Sequence, residues 1–300
     1  NIEGVKDVTP IVVEALEKCK EEGITTLLFP KGTYHFYPTF APERYCEITN
    51  NDNGLQFASF SFDASISEIF TALLSGACLS VIDREHREDP KMLEKYIIEN
   101  KIAVATIPPS YLSLMDVNSL RRLKTLITAG EAPVYSKVKE YLELGNYYNA
   151  YGPTETSICS AMYGLLKGED LPLGNIPIGK PIANTQTFIL DKDHKIVPVG
   201  VIGEICIGGA GLAKGYLNRP ELTAEKFIEH PYAENERLYK TGDLGKWLPD
   251  GTIEFLGRKD DQVKISGYRI ELGEVEQALL AHNQIDEAVV MVEINQFNIK

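Results

Sequence analysis

Between Leu55 and Ala150, short apolar strand-like segments alternate with segments of helical spacing, and few folds accept that pattern. Ala77–Asp83, Val104–Ile107, Leu123–Thr128 and Tyr147–Ala150 read as strands, and the last two run into Gly-containing loops. Leu55–Phe70 leads into a helix-like run, and Met92–Asn100 spaces its apolar residues as a helix does. A parallel sheet is covered on both faces by its crossover helices, so the expected fold class is α/β with a parallel layer.

The character changes after Gly152. Gly152–Asp250 is richer in glycine and in short strands such as Thr187–Leu190 and Gly203–Ile207, which predicts a small β-barrel. Thr252–Gly257 supplies one more strand before the polar break Arg258-Lys259-Asp260-Asp261, a candidate hinge. A strand over Gln262–Ile270 and a helix with Val275, Ala278 and Leu279 on one face begin an α+β C-terminal subdomain. The expected division is 1–54, 55–160, 161–257 and 258–300.

The first fifty residues follow another logic. Thr9-Pro10 is an N-cap and first-turn pair, and Val12, Ala15, Leu16 and Cys19 recur at helical spacing before Gly23. Ile24–Phe29 and Thr33–Tyr37 then read as strands around the turn Pro30-Lys31-Gly32. With Asp7, Thr9, Phe29, Pro30, Gly32 and Tyr34, this stretch resembles the start of right-handed β-helix carbohydrate-active proteins. The implied expectation is an unrelated N-terminal helix–strand fragment joined near residues 46–55, and a carbohydrate-active alternative supported by residues 1–50 alone.

Composition removes several function classes. Among 300 residues, 30 Lys plus Arg face 43 Asp plus Glu, a net charge of −13 that lacks the basic footprint of a nucleic-acid binder. The longest mostly apolar stretch, Ile69–Ile82, is interrupted by Thr, Ser and Gly and is too short to span a bilayer. No targeting segment is read near Asn1, and no membrane partner is expected. The 5 cysteines are scattered without a CxxC pair, which predicts reduced thiols in a cytoplasmic protein. The 5 histidines are equally dispersed, so no metal cage built by protein alone is expected.

Chemistry concentrates in short clusters. Ser61-Phe62-Asp63-Ala64-Ser65 places an acid in an apolar, aromatic run, and Asn149-Ala150-Tyr151-Gly152-Pro153-Thr154-Glu155 turns a strand end sharply into a loop. Tyr239-Lys240-Thr241-Gly242-Asp243-Leu244 reads as an acid on a turn after a strand. Gly257-Arg258-Lys259-Asp260 leads into Gln262-Val263-Lys264-Ile265-Ser266-Gly267. Singly, each has an ordinary structural explanation. Asp63 reads as a helix N-cap, Tyr151 as core, Thr154-Glu155 as a cap, Asp243 as a turn residue and Arg258–Asp261 as a solvated loop. Gly208-Gly209-Ala210-Gly211 lacks the Gly-Lys-Ser/Thr ending of a P-loop.

Together and in this order, the stretches SFDASISEIF, NAYGPTETS, GEICIGGAGLAKGYLNRPELTAEKF, YKTGDL and GRKDDQVKISGYRIELGEVE resemble the adenylation domain of non-ribosomal peptide synthetases. That domain belongs to the adenylate-forming family, which includes acyl-CoA synthetases and luciferases. The resemblance runs from about Leu55 to Val292 and implies a partial adenylate-forming fold. It implies reaction of an amino-acid carboxylate with ATP, then transfer to the phosphopantetheine thiol of a carrier-protein domain. By the same resemblance Asp63 pairs the substrate α-ammonium, Tyr151 stacks on adenine, and Asn149 and Gly130 lie near the base edge. Thr154 contacts phosphate, Glu155 holds Mg²⁺, Asp243 accepts from the ribose hydroxyls with help from Arg258, and Asp260 is the hinge.

The resemblance also implies a side-chain pocket of Asp63, Ala64, Ser67, Thr106, Ile127, Ala129, Ala150, Ile158 and Cys159. Phenylalanine-activating members carry Trp where this chain has Ser67. The smaller hydroxyl side chain leaves room and a partner for a phenol, so tyrosine is favoured over phenylalanine. The family also carries a Ser/Thr/Gly-rich loop with a phosphate-clasping Lys ahead of Asp63 and a catalytic Lys late in the C-terminal subdomain, and no stretch of this sequence resembles either. The expectation is a chain that retains most of an amino-acid pocket but adenylates poorly if at all, or an inactive remnant. Without such donors, charge developing on the phosphate is poorly stabilised.

Overall fold

The chain is described by a computed structural model over residues 26–27, 48–260, 262–265, 268–282, 284–285 and 287–292. The helix expected after Thr9 and the strand expected at Thr33–Tyr37 lie outside those residues.

Among the described residues the larger sheet has eight strands in the order β1-β3-β2-β4-β5-β6-β7-β8. These are β1 (Thr26–Leu27), β2 (Asn53–Gln56), β3 (Cys78–Val81), β4 (Val104–Thr106), β5 (Thr125–Ala129), β6 (Asn146–Tyr151), β7 (Ala161–Leu165) and β8 (Lys180–Pro181). The strands β3-β2-β4-β5-β6 are parallel, and β1, β7 and β8 add antiparallel edges. Two sequence expectations change here. Thr26–Leu27, assigned to a separate fragment, pairs with Ser80 and Leu79 on the edge of this sheet. Ala161–Leu165, assigned to the β-rich part, hydrogen-bonds to β6, so the change of sheet falls after Pro181.

Alternation along the strands explains the two layers. Ala105, Leu126 and Tyr147 are register partners that face one core with Leu93, Ile97, Leu120, Val138 and Tyr141. Their strand neighbours Val104, Ile127 and Tyr148 face the opposite core with Ile69, Ala72 and Leu73. The first core is built by helix Pro90–Glu99, the 3₁₀ turn Val117–Leu120 and helix Tyr135–Leu142; the second is built by α1 (Ala64–Leu74). Buried Ser65, Glu68, Ile69 and Ala72 recur on α1 at the spacing of one helical face. Helix Pro90–Glu99 starts two residues earlier than expected, because Asp89 accepts from the Lys91 N–H at 2.8 Å and Pro90 occupies the first turn.

The second sheet is antiparallel: β9 (Thr185–Leu190), β10 (Gly203–Gly209), β11 (Phe227–Glu229), β12 (Arg237–Trp247) and β13 (Ile253–Arg258). The stretch expected as a barrel contributes four neighbours in the order β11-β12-β10-β9, with β13 also on β12. A bridge between Gly179 and Ile253 fastens this sheet to the first. The Ile178 and Ile253 N–H groups donate at 2.9 and 2.8 Å to Ile253 and Gly179. The strand expected over Gln262–Ile270 is a pair, β14 (Val263–Ile265) and β15 (Tyr268–Ile270), in antiparallel register. Helix α2 (Leu272–Leu280) follows and contains the expected Val275, Ala278 and Leu279. No helix among the described residues is long and apolar enough to cross a membrane.

Candidate active site

In an open parallel sheet, ligands gather beyond the carboxyl ends of the strands where the winding direction reverses. Here β2 is central: the chain leaves it for β3 on one side and returns to β4 on the other. Four of the expected pocket residues lie on β4, β5 and β6, to one side of that point. Thr106 and Ile127 are register partners on β4 and β5, and Ala129 and Ala150 are partners on β5 and β6. All four share the strand face covered by α1, which carries Ala64 and Ser67 in its first turn. Ile127 is buried, while Thr106, Ala129, Ala150, Ala64 and Ser67 are half-buried.

Asp63 occupies the N-cap position of α1 but makes no capping bond. Its backbone is already helical, with φ −61° and ψ −29°, whereas an N-cap side chain reaches the next turn from an extended backbone. The half-buried carboxylate is therefore not spent on the helix end, contrary to the ordinary explanation of an acid at this place.

The end of β6 turns back tightly. A Cβ on Gly152 would lie 2.4 Å from the Ile158 carbonyl oxygen and 2.6 Å from the Cys159 Cα, so only glycine admits the returning segment. Within that segment Ser157 and Ile158 hold left-handed φ of 62° and 76°. For a β-branched Ile this is strain of about 1–2 kcal/mol, held by the surrounding contacts. The Ser160 N–H donates to the Tyr151 carbonyl at 2.7 Å, and the Ser157 hydroxyl donates to the Gly211 carbonyl at 2.6 Å. Burial pushes the Cys159 thiol up to about 12, and its sulfur contacts the Ala161 carbonyl at 3.3 Å.

Tyr151 leads to a second group. Its ring packs among Ile178, Ile189, Ile205 and Ile253, and its hydroxyl donates to Asp243 Oδ2 at 2.5 Å. Burial and then the Asp243 charge hold the phenol well above the usual range, so it stays a donor. Asp243 lies inside β12, opposite Arg258 of β13, and not on a turn as its sequence suggests. The ladder shifts register next to it, between Leu244 and Gly245, a bulge of the sort that re-aims side chains. Arg258 Nη1 donates to Asp243 Oδ1 at 2.6 Å, while Nε and Nη2 fork onto Asp260 at 2.6 and 2.7 Å. Partial burial raises the Asp260 pKa, but the Arg258 bonds and charge more than offset it and hold the group low. Arg258, expected as part of a solvated loop, thus joins two acids. Asp261 lies outside the described residues.

Thr154 and Glu155 open a 3₁₀ turn at the far side of Gly152. Thr154 is exposed. Glu155 Oε1 accepts from the Tyr216 hydroxyl at 2.7 Å, and Tyr216 stands 3.2 Å from the Tyr239 hydroxyl. The Ala213 N–H donates to the Glu155 carbonyl at 2.9 Å, so the Gly-rich loop after β10 braces this turn. Among the described residues no group of three or more His, Cys, Asp and Glu converges as a metal cage. A single carboxylate such as Glu155 is the type of ligand that Mg²⁺ takes beside substrate phosphate oxygens. The buried Asn149 amide donates to the Pro177 carbonyl at 2.8 Å, and Gly130 follows β5 with φ +87°.

Four further residues brace this region without a role assigned from sequence: Glu68, Tyr216 and Thr241 lie inside the motif stretches, and Glu131 lies outside them. Glu131 accepts from the Ser110 N–H at 2.9 Å, joining the loop after β5 to the short helix Pro109–Ser113 that follows β4; the Thr241 hydroxyl accepts from the Asp243 N–H at 2.9 Å. Glu68 carried a signal, since it shares the helical spacing of Ser65, Ile69 and Ala72 and so falls on the buried face.

The family model of AMP-binding enzymes matches residues 30–217, and the chain belongs to that family. Its motifs and relatives are those of non-ribosomal peptide synthetase adenylation domains. Tyrocidine synthase 1 of Brevibacillus parabrevis is 49% identical over 271 residues, 90% of this chain and 25% of that protein. Gramicidin S synthase 1 of Brevibacillus brevis is 47% identical over 267 residues, 89% of this chain and 24% of that protein. The chain thus spans about a quarter of the length of these curated relatives. Among solved structures, NpsA-ThdA, an artificially fused adenylation-PCP di-domain from Klebsiella oxytoca, has a TM-score of 0.77 at 27% identity, covering 86% of this chain and 53% of that one. Another synthetase protein containing adenylation and PCP domains gives 0.75 at 31% identity, covering 84% of this chain and 45% of that one. The family match begins at residue 30, so residues 30–54 belong with it. The β-helix assignment of that stretch, and a join near residues 46–55, are set aside.

Proposed function

We propose that this chain activates an amino acid by adenylation, with tyrosine as substrate. The observation that carries the reading is the adjacency of Ala150 and Tyr151. Consecutive strand residues point to opposite faces, so Ala150 lines the small-residue pocket while Tyr151 reaches Asp243. An amino acid seated by Asp63 and a nucleotide whose ribose meets Asp243 would then bring carboxylate and phosphate together at the Gly152–Glu155 turn.

In that arrangement the Asp63 carboxylate pairs the substrate ammonium, and the ligand charge offsets the cost of a half-buried acid. Asp243 accepts from the ribose hydroxyls while Tyr151 and Arg258 fix its orientation. Asn149 and Gly130 border the adenine edge, Tyr151 offers its ring, and Thr154 contacts phosphate. Glu155 would hold Mg²⁺, which when bound neutralises charge on the phosphate oxygens. A substrate carboxylate oxygen forms a bond to the α-phosphorus as the bond to pyrophosphate breaks. The thiolate of a carrier phosphopantetheine then takes the aminoacyl group and AMP leaves. Adenylation and PCP domains occur together in the structural neighbours, which supports a carrier partner. Asp260, forked by Arg258 at the exit of β13, serves as the hinge between the two steps. The free thiols Cys78, Cys159 and Cys206 support a reducing, cytoplasmic setting.

Ser67 favours tyrosine. It lies half-buried one helical turn beyond Asp63, where its hydroxyl can meet a phenol. Thermal shift with tyrosyl- and phenylalanyl-sulfamoyladenosine tests this. Larger stabilisation by the tyrosyl compound is expected; equal or reversed shifts overturn the choice of tyrosine, and no shift with either overturns the pocket.

A further inference from the structure

Glu68 is an ionisable side chain whose place in the fold the adenylation reading leaves unexplained. It lies on the inner face of α1 with 6% of its surface exposed, where an ionisable residue is costly unless compensated. Its compensation is specific. Oε2 accepts from the Phe57 and Ala58 N–H groups at 3.0 Å each, Oε1 from Ala58 at 3.3 Å, and the Gln56 amide stands at 3.4 Å. These N–H groups follow the last residue of β2, where the parallel ladder ends and buried donors need other acceptors.

The segment from this point to Asp63 is held at both ends. Glu68 fixes its start. At its finish the Ser65 hydroxyl, on a fully buried residue, donates to the Phe62 carbonyl at 2.8 Å, and the Phe62 N–H donates to Ser59 at 2.8 Å. Asp63 directly follows, with its carboxylate withheld from capping. Because β2 lies at the switch point, anchoring its exit to α1 sets how far Asp63 stands from Thr106 and Ala150.

We propose that Glu68 is a positioning residue of the amino-acid half of the site: through Phe57 and Ala58 it sets the place of Asp63, and it has no part in holding the nucleotide. This rests on the amino-acid pocket proposed above. Replacing Glu68 by Ala leaves the buried Phe57 N–H and the half-buried Ala58 N–H without this acceptor and lets the segment drift. Misplacement by about an ångström costs up to about a hundredfold in well-oriented sites.

The test is calorimetric binding to the full chain, using AMP and whichever of tyrosyl- or phenylalanyl-sulfamoyladenosine binds the wild type better. Glu68→Ala is expected to weaken the aminoacyl compound by about tenfold or more and AMP by less than about twofold. Glu68→Gln keeps an oxygen for the two N–H groups and should restore aminoacyl affinity to within about threefold. Should Glu68→Ala fail to fold, Ser65→Ala releases the other end of the segment and should show the same selective loss. Equal weakening of both ligands, or an unchanged aminoacyl affinity in folded variants, overturns the proposal and leaves Glu68 a packing residue. A wild type that binds neither aminoacyl compound better than AMP instead overturns the pocket reading, and the inference with it.

Discussion

The Tyr151 hydroxyl donates a 2.5 Å hydrogen bond to Asp243 Oδ2, a buried contact between residues 92 positions apart. It ties the end of the last parallel strand to the bulged centre of the second sheet. A bond from a neutral donor to a buried, charged acceptor stabilises more than most, and its loss leaves the acceptor less satisfied.

Tyr151→Phe removes that hydroxyl and nothing else. Asp243 keeps Arg258 but loses its second fixed partner. Urea unfolding should show a loss of about 1–3 kcal/mol. A change below about 0.5 kcal/mol would mean that the bond is replaced by solvent without consequence.

Asp63 and Asp243 should separate by ligand. Asp63→Asn removes the charge paired with the substrate ammonium, so the aminoacyl-sulfamoyladenosine should bind at least about tenfold more weakly while AMP is unaffected. Asp243→Ala should weaken AMP by about tenfold and erase any preference for AMP over its 2′,3′-dideoxy form. Loss of both ligands from either variant would argue against two half-sites.

Gly179 carries the bridge between the sheets. It holds φ +86°, and a Cβ there would lie 1.9 Å from the Met162 carbonyl oxygen, a backbone atom that cannot swing aside. Gly179→Ala combines a left-handed penalty with a backbone clash, and should cost at least about 3 kcal/mol in urea unfolding. Gly200→Ala, also at φ +81° but with open space around its Cβ, separates the conformational part and should cost about 1 kcal/mol.

Glu68 makes stability depend on pH in an unusual direction. Burial pushes its carboxyl up from 4.5 to about 8, against the lowering effects of the Ala58 and Phe57 N–H groups, the Gln56 amide and the Arg87 charge. Between those values the folded chain keeps a proton that the unfolded chain has released, so stability falls as pH rises from about 4.5 to 8 and levels above that. Glu68→Gln cannot ionise. Thermal midpoints of wild type and Glu68→Gln should therefore diverge from pH 5 to about pH 8.5, the wild type losing ground. Parallel midpoints would place the carboxyl near its ordinary value.

Much of the architecture was legible locally. The alternation from Leu55 to Ala150 predicts the parallel layer because strand and helix periods of burial differ, and β3 to β6 fall within the expected strands give or take a residue or two. The family resemblance likewise grouped Thr106, Ile127, Ala129 and Ala150 into one set, and the register places these four on one face. The strand read across Gln262–Ile270 failed because both arms of a hairpin share the apolar pattern of one strand. Ala161–Leu165 was misassigned because composition changes at Gly152, whereas the sheet changes only after Pro181.

By itself the sequence determined which segments become strands and helices and which residue types stand at their ends, since those follow from periods of two and 3.6 along the chain. Tertiary structure alone decided that Asp243 sits in a bulged strand facing Tyr151, that Arg258 joins Asp243 to Asp260, and that Glu68 closes the exit of β2. The physical reason is that a carboxylate looks the same in sequence whether it caps a helix, faces water or accepts buried N–H groups. Its role is set by which donors the fold brings within about 3 Å and by how much water it removes.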